Sequence, residues 1–197
     1  MTTARGPCND PEAVDNRDDR PLDGARATPD PASDSRQRRD REAQRIRELA
    51  DFQEGRLDVP ILDDAGIRDL LRTSRRIAML GASSNPARPS NDVFRYLVAA
   101  GYDVVPVSPT ETEVESVRAY PTLAEAVAAT GRFEIVDVFR RAEFCPDHAR
   151  EAVAAGARCL WLQLGIVSAE AARIASGAGL AVVMDRCTKI EVGRLGR

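Results

Sequence analysis

The sequence predicts a doubly wound parallel sheet of the Rossmann-like α/β class in the C-terminal two-thirds of the 197-residue chain. After Arg75, short apolar runs typical of buried strands alternate with helical segments of about ten residues. A glycine closes three of those helical segments, at Gly101, Gly131 and Gly156, as helix C-termini favour. This regular alternation indicates repeated βαβ units, and hence parallel strands with helices on both faces of the sheet.

The N-terminal segment of the chain predicts a disordered tail over residues 1–35. It contains five prolines among alternating aspartates and arginines, and almost no large apolar side chain. Such a segment cannot bury enough apolar surface to offset the entropy that a chain loses when it becomes ordered. We therefore expect the folded core to lie further along the chain.

Residues 36–60 are expected to form a helix and a linker. The composition shifts there to helix formers, and Ile46, Leu49 and Phe52 recur at roughly helical spacing. Gly55 would end this helix. Because the apolar face is narrow, the helix needs a partner surface to pack against.

A folded domain is predicted over residues 61–192, followed by a C-terminal tail over 193–197. Its first helix begins at Asp63 or Asp64 as the N-cap residue. The buried face of that helix consists of Ile67, Leu70 and Leu71. The predicted strands are 76–80, 103–107, 134–139, 159–164 and 181–184. The predicted helices between them are 90–100, 122–129, 145–155 and 168–178. Ligands of such sheets bind beyond the carboxyl ends of the strands.

The loop after the first predicted strand is the first candidate binding element. Its small residues let backbone N–H groups approach an anion, and the N-terminus of the following helix adds its dipole. Arg88 adds a permanent charge that can bind a phosphate with two parallel hydrogen bonds. The candidate binding residues of this loop are Gly81, Ala82, Ser83, Ser84, Arg88, Pro89 and Ser90.

A simpler interpretation of this loop stays open, namely an ordinary strand-to-helix turn with Ser90 as the N-cap. Gly81 is its only glycine, so the loop matches neither the dinucleotide-binding pattern G-x-G-x-x-G nor a Walker loop. The second predicted strand ends in Ser108 and Pro109 instead of the acidic residue that holds the ribose of NAD. This ending counts against a nicotinamide cofactor.

Six motifs that occur in order along residues 61–190 resemble the small stand-alone CoA-binding protein family. The motifs are Ala82-Ser83 through Arg88-Pro89-Ser90, Val-Pro-Val-Ser-Pro at 105–109, Ala-Tyr-Pro at 119–121, Asp-Val-Phe-Arg-Arg at 137–141, Leu-Trp-Leu-Gln-Leu-Gly at 160–165 and Val-Met-Asp-Arg-Cys at 183–187. The fold of that family is similar to the CoA-binding domain of succinyl-CoA synthetase alpha subunits. This chain departs from the family at Ser108, because the family usually has asparagine before that proline.

The resemblance implies coenzyme A or an acyl-CoA as the cofactor. It favours a binding role for the pair Arg140 and Arg141, which follows the third predicted strand, over a merely solvated loop start. It also implies that Gln163 and Gly165 lie beside the pocket. The remaining candidate binding residues end the second and last strands, namely Ser108, Asp185 and Cys187. Trp161, inside a continuous apolar run, is expected to belong to the core.

No self-contained set of catalytic residues can be assembled from the sequence. The only histidine, His148, lies on a predicted helix and is expected to face solvent. The four cysteines share no C-x-x-C spacing, which predicts reduced thiols and no metal site. We therefore predict non-catalytic binding of coenzyme A or an acyl-CoA. Two alternatives remain, a nucleotide-dependent ligase or dehydrogenase subunit that needs a partner chain, and a protein-interaction module with a vestigial pocket.

The charge balance and the hydropathy bear on partners and location. The formal net charge is −3, too near neutral for a protein that binds nucleic acid or a membrane surface electrostatically. No apolar stretch approaches the roughly 20 residues of a membrane span, and the N-terminus lacks the apolar region of a secretory signal. A cytoplasmic protein with a small-molecule ligand is expected. A homo-oligomer or an unidentified protein partner is left open.

Overall fold

The computed structural model describes residues 31–195, with side chains from residue 35 onwards. Residues 1–30 of the predicted tail lie outside the described residues. Helix α1 spans Pro31–Gln53, so it begins before residue 36, where the sequence predicts its start. A proline fits at the first position of a helix, since its missing N–H has no intrahelical partner there.

Helix α1 packs against the domain through its C-terminal half. Leu49 and Phe52 are half-buried against the apolar core, together with Leu57 of the linker. The Glu48 carboxylate accepts a hydrogen bond of 3.3 Å from the backbone N–H of Ala169. The predicted helix is therefore confirmed, and it has the partner surface that its narrow apolar face requires.

Helix α2 spans Asp64–Thr73 and begins as predicted. The Asp63 side chain caps it by accepting a hydrogen bond of 2.8 Å from the backbone N–H of Gly66. Ile67, Leu70 and Leu71 are buried. This agreement follows from a strong N-cap residue placed directly before an amphipathic segment.

The described residues form seven strands, namely β1 (Arg76–Leu80), β2 (Asp103–Val107), β3 (Glu113–Val114), β4 (Val117–Arg118), β5 (Ile135–Val138), β6 (Cys159–Leu162) and β7 (Ala181–Val183). Five of them run parallel in the central sheet, in the order β2-β1-β5-β6-β7. The strands β1 and β2 have their predicted bounds, whereas β5, β6 and β7 are shorter. The short antiparallel pair β3 and β4 was not predicted, and its turn holds Glu115 and Ser116 at positive φ.

Helices cover both faces of the sheet, which confirms the doubly wound class. They are α3 (Pro89–Ala99), α4 (Leu123–Thr130), α5 (Cys145–Ala154), α6 (Ala169–Gly177) and α7 (Thr188–Leu195). Helices α2, α3 and α7 pack on one face, which carries Ile77, Met79 and Trp161. Helices α4, α5 and α6 pack on the other face, with α1 at its edge. Trp161 is fully buried, as predicted, and its Nε1 donates to the Arg186 carbonyl at 2.6 Å.

Two further boundaries differ from the prediction. Helix α3 begins at Pro89 with Arg88 as its N-cap residue, so Ser90 lies inside the first turn and is not the cap. The fixed φ of proline suits the first helical position and sets this start. Helix α7 continues to Leu195, so residues 193–195 are not a tail. Arg194 holds that last turn through ion pairs with Glu191 at 2.6 Å and with Asp64 at 2.8 Å.

The strand order creates a crevice at one edge of the sheet. The chain moves outward from β1 to β2 and then returns past β1 to β5, so the order reverses between β1 and β5. The loops that leave these two strands diverge to opposite faces, and ligands of open α/β sheets bind in the gap between them.

Within residues 31–195, no helix combines the length and the apolar character that a membrane span needs.

Candidate functional site

A cleft of about 790 Å³ opens at this reversal point, beyond the carboxyl ends of the parallel strands. Its walls come from the loops that follow β1, β2, β5 and β6, and from the first part of α7. Twelve of the fourteen candidate binding residues line it, and only Ser84 and Asp185 do not. The cleft therefore lies where the sequence predicts a ligand.

The loop between β1 and α3 begins at Gly81, where the backbone has a φ of +83°. A Cβ atom at Gly81 would lie 2.6 Å from the carbonyl oxygen of Phe139, which follows β5. The backbone after β5 therefore requires glycine at position 81, independently of any ligand in the cleft. Ala82 and Ser83 line the cleft, whereas Ser84 is exposed and donates its backbone N–H to Glu111 at 3.1 Å.

Three backbone N–H groups around this loop are free to bind an anion. Those of Ala82, Ser83 and Ser90 donate to no atom within the described part of the chain. The fully buried Asn91 side chain steadies the loop, because its Nδ2 donates to the Ser83 carbonyl at 3.0 Å and to Glu115 at 2.9 Å. Unpartnered N–H groups at the start of a helix are the usual elements of a phosphate site.

Arg88 stands at the N-terminus of α3 and lines the cleft beside Pro89 and Ser90. Its side chain makes no hydrogen bond to cap the helix. Among residues 35–195, no carboxylate pairs with its guanidinium group. The charge of Arg88 is therefore available to a ligand at the positive end of the helix dipole.

Arg140 and Arg141 follow β5 and reach the same cleft, as predicted from topology. Both are exposed, and their guanidinium carbons lie 5.8 and 5.3 Å from the ring centroid of Phe144. Arg141 also lies 3.3 Å from Glu143. The ring contacts limit the positions of the two long side chains without neutralising them.

Gln163 lines the floor of the cleft and is held by a buried network that the sequence did not reveal. Its Nε2 donates to Asp137 and to the Thr188 hydroxyl, both at 2.7 Å, and that hydroxyl donates to Asp137 at 3.0 Å. Burial raises the pKa of Asp137 to about 7, although hydrogen bonds from Gln163 and Thr188 oppose this rise. Since both amide hydrogens are used, Gln163 presents its Oε1 as an acceptor.

Gly165 and Cys187 also line the cleft, but Asp185 has a supporting position. The Asp185 carboxylate accepts a hydrogen bond of 2.6 Å from the backbone N–H of Gly165, and both residues have positive φ. Asp185 thereby ties the loop after β6 to the end of β7. Cys187 is partly exposed.

The wall near β2 is polar. Ser108 is 4% exposed, and its hydroxyl lies 3.3 Å from that of Thr110. Glu111 is the one carboxylate on the cleft wall within the described residues, and no sequence motif pointed to it. Hydrogen bonds from Ser84, and further ones from Ser83, lower its pKa from the ordinary value. Glu111 is thus a fixed negative group that holds the loop before α3.

His148, Cys145 and Cys159 do not line the cleft. His148 does not face solvent as predicted, because its side chain is only 19% exposed and its Nδ1 lies 2.9 Å from Glu151. It lies on α5, outside the cleft. Burial raises the pKa of Cys145 to about 12 and that of Cys159 still further. Cys8 lies outside the described residues.

Comparison with known proteins supports the resemblance carried by the six motifs. Residues 75–193 match the family described as CoA binding domain. The uncharacterized protein YneT of Bacillus subtilis is 39% identical over 126 residues, which cover 64% of this chain and 91% of YneT. A hypothetical protein from Pyrococcus horikoshii is 36% identical, with a TM-score of 0.64, and the match covers 68% of this chain and 92% of that one. The cell-free ID.343 protein from Thermus thermophilus is also 36% identical, with a TM-score of 0.61 and coverage of 68% and 99%.

Proposed function

The chain belongs to the CoA binding domain family, and we propose that its cleft binds coenzyme A or an acyl-CoA without catalysing a reaction. The observation that carries the proposal is the convergence of Arg88, Arg140 and Arg141 on one cleft that also contains unpartnered N–H groups. Coenzyme A carries a pyrophosphate and a 3′-phosphate, so its site needs several positive groups. The family supplies the name of the ligand, and the cleft supplies the chemistry that suits it.

The pyrophosphate fits best at the N-terminus of α3. There the N–H groups of Ala82, Ser83 and Ser90 and the guanidinium group of Arg88 surround one end of the cleft. Charge-assisted hydrogen bonds of this kind are roughly twice as strong as neutral ones. The site therefore gives phosphate groups a preferred end of the cleft.

The pantetheine arm fits along the floor of the cleft towards β6. Leu164 and Ile190 line this part and are 63% and 54% exposed, which is unusual for large apolar side chains. Gln163 lines the same cleft and offers its Oε1 to an N–H donor, and the arm contains two amide groups. An apolar wall with one fixed acceptor suits a chain of alternating methylene and amide groups.

The lining of the cleft supports a binding role over an enzymatic one. Its described residues include one carboxylate, Glu111, and one thiol, Cys187, and no histidine. Glu111 is committed to the loop through its contacts with Ser83 and Ser84. A general base and a nucleophile at hydrogen-bond distance are what acyl-transfer chemistry requires.

We retain a cytoplasmic location and a small-molecule partner as predictions.

Titration calorimetry of the full chain with coenzyme A, acetyl-CoA, NAD and ATP tests the proposal. We expect one site per chain for coenzyme A or its thioester, and weaker or no binding of NAD and ATP. Thermal unfolding gives a second readout, because a ligand at 100 times its Kd adds about 2.7 kcal/mol of stability. If neither coenzyme A nor acetyl-CoA binds, the proposal is refuted. Hydrolysis of acetyl-CoA by the protein would refute the non-catalytic part alone.

A further inference from the structure

We propose that helix α1 completes the cleft and that Arg45 binds a second anionic group of the ligand. The inference rests on the proposed function and extends it to a part of the chain that lies outside the family match. The family match begins at residue 75, whereas α1 ends at Gln53. Arg45 nevertheless lines the same cleft as Arg88 and Arg140.

The position of Arg45 follows from the face of α1 that packs on the domain. Residues three or four apart lie on the same side of a helix. Leu49 and Phe52 pack against the core, and Glu48 accepts a hydrogen bond from the N-terminus of α6. Arg45 stands one turn before these anchors, so the packing that holds α1 also directs Arg45 towards the cleft.

The charge of the cleft makes an anion the fitting occupant at this point. Arg45, Arg88, Arg140 and Arg141 contribute four guanidinium groups to the wall, against the single carboxylate of Glu111. Within the described part of the chain, Arg45 forms an ion pair of 3.2 Å with Glu42 on its own helix, and both side chains are about half exposed. Surface pairs of this kind contribute little, so a phosphate or carboxylate can replace Glu42.

The surroundings also limit how far the anion can extend. Arg45 and Arg141 line a second depression of about 760 Å³ between α1 and the start of α5. In that depression five carboxylates face four guanidinium groups. An anion is therefore favoured in the main cleft beside Arg45 and disfavoured deeper under α1.

Two anionic groups have the required chemistry, and they occupy different ends of the ligand. One is the 3′-phosphate of coenzyme A, and the other is a carboxylate at the end of a dicarboxylic acyl chain. Both would lie beyond the pyrophosphate held at α3. A set of four ligands distinguishes them, namely coenzyme A, 3′-dephospho-CoA, acetyl-CoA and succinyl-CoA.

The test measures the affinity of these four ligands for the wild-type chain, for Arg45→Ala and for Arg47→Ala. Arg47 is a matched control, because it lies about 200° around the same helix and is exposed but does not line the cleft. We expect Arg45→Ala to weaken binding of the preferred ligand about tenfold, which corresponds to one exposed charge-assisted contact. Arg47→Ala should change that affinity less than about twofold.

The pattern across the ligands identifies the anionic group. If it is the 3′-phosphate, the wild-type preference for coenzyme A over 3′-dephospho-CoA disappears in Arg45→Ala. If it is an acyl carboxylate, the preference for succinyl-CoA over acetyl-CoA disappears instead. Equal affinities of Arg45→Ala and wild type for all four ligands would overturn the inference, as would equal weakening by Arg47→Ala. Failure of the wild-type chain to bind any of them would overturn the proposed function itself.

Discussion

Replacing Asp137 by asparagine should remove a pH dependence of stability that the buried carboxyl group imposes on the fold. Asp137 is fully buried in β5, and burial raises its pKa from 3.8 to about 7. In the unfolded chain the same carboxyl group titrates near its ordinary value. Between the two pKa values the native protein keeps a proton that the unfolded chain has released, so the free energy of unfolding falls as the pH rises.

The size of the effect follows from the two pKa values. A pH of 5 is about 1.2 units above the pKa of the carboxyl group in the unfolded chain, whereas the same group in the native protein is still protonated. At pH 8 the carboxyl group is ionised in both the native protein and the unfolded chain. The effect then equals the full difference between the two pKa values, about 3.2 pH units. The change of about two pH units corresponds to about 3 kcal/mol of unfolding free energy. The stability that protonated Asp137 contributes is fully present below the pKa of the group in the unfolded chain, and it is lost as the pH rises through about 7.

Urea unfolding of wild-type and Asp137→Asn protein at pH 5, 6, 7 and 8 measures this difference. Asparagine keeps a carbonyl oxygen that can accept from Gln163, so the variant is expected to fold. The two proteins share every other titrating group, and the difference between their profiles therefore isolates Asp137. We expect the free energy of unfolding of the wild type to fall by about 3 kcal/mol more than that of the variant between pH 5 and pH 8. Parallel profiles would refute the reasoning.

Three further predictions concern the cleft. Arg88→Ala should weaken coenzyme A binding by about 1.5–3 kcal/mol in calorimetry, whereas Arg95→Ala, exposed on the same helix, should not. Gly81→Ala should lower stability by more than about 1 kcal/mol and weaken binding with it, and Gly165→Ala, also at positive φ but with open space around it, should cost less in urea unfolding. Incubation with oxidised coenzyme A should give one adduct by intact mass, which Cys187→Ser abolishes and Cys159→Ser, at a buried thiol, does not.

The strands show which parts of the fold were predictable. The bounds of β1 and β2 agree with the prediction, because a charged residue begins each strand and Gly81 or Ser108 follows it. The prediction for β6 was two residues too long. Its apolar run continues to Leu164, but that side chain is 63% exposed beside the cleft. An apolar run does not distinguish a buried strand from an apolar cleft wall.

The candidate site likewise contains residues that could be predicted from sequence and contacts that could not. Arg88, Arg140 and Gly165 were predicted because each directly follows a strand or precedes a helix, and the topology of a doubly wound sheet brings such positions together. Gln163 was predicted, but its partners were not. Asp137 and Thr188 lie 26 and 25 residues away from it in opposite directions along the chain. A local sequence pattern does not indicate hydrogen bonds between side chains that lie so far apart along the chain.

The contribution of α1 is the hardest to read from sequence, and the reason is general. Helical spacing of Ile46, Leu49 and Phe52 predicts that a face is buried, but it does not specify the surface that buries it. In the structure Ile46 is 59% exposed, and the buried stripe runs instead through Leu49 and Phe52, with Glu48 beside it. A shift of one residue in the assigned face rotates the helix by about 100°. The sequence thus predicts the helix, but packing decides that Arg45 lines the cleft.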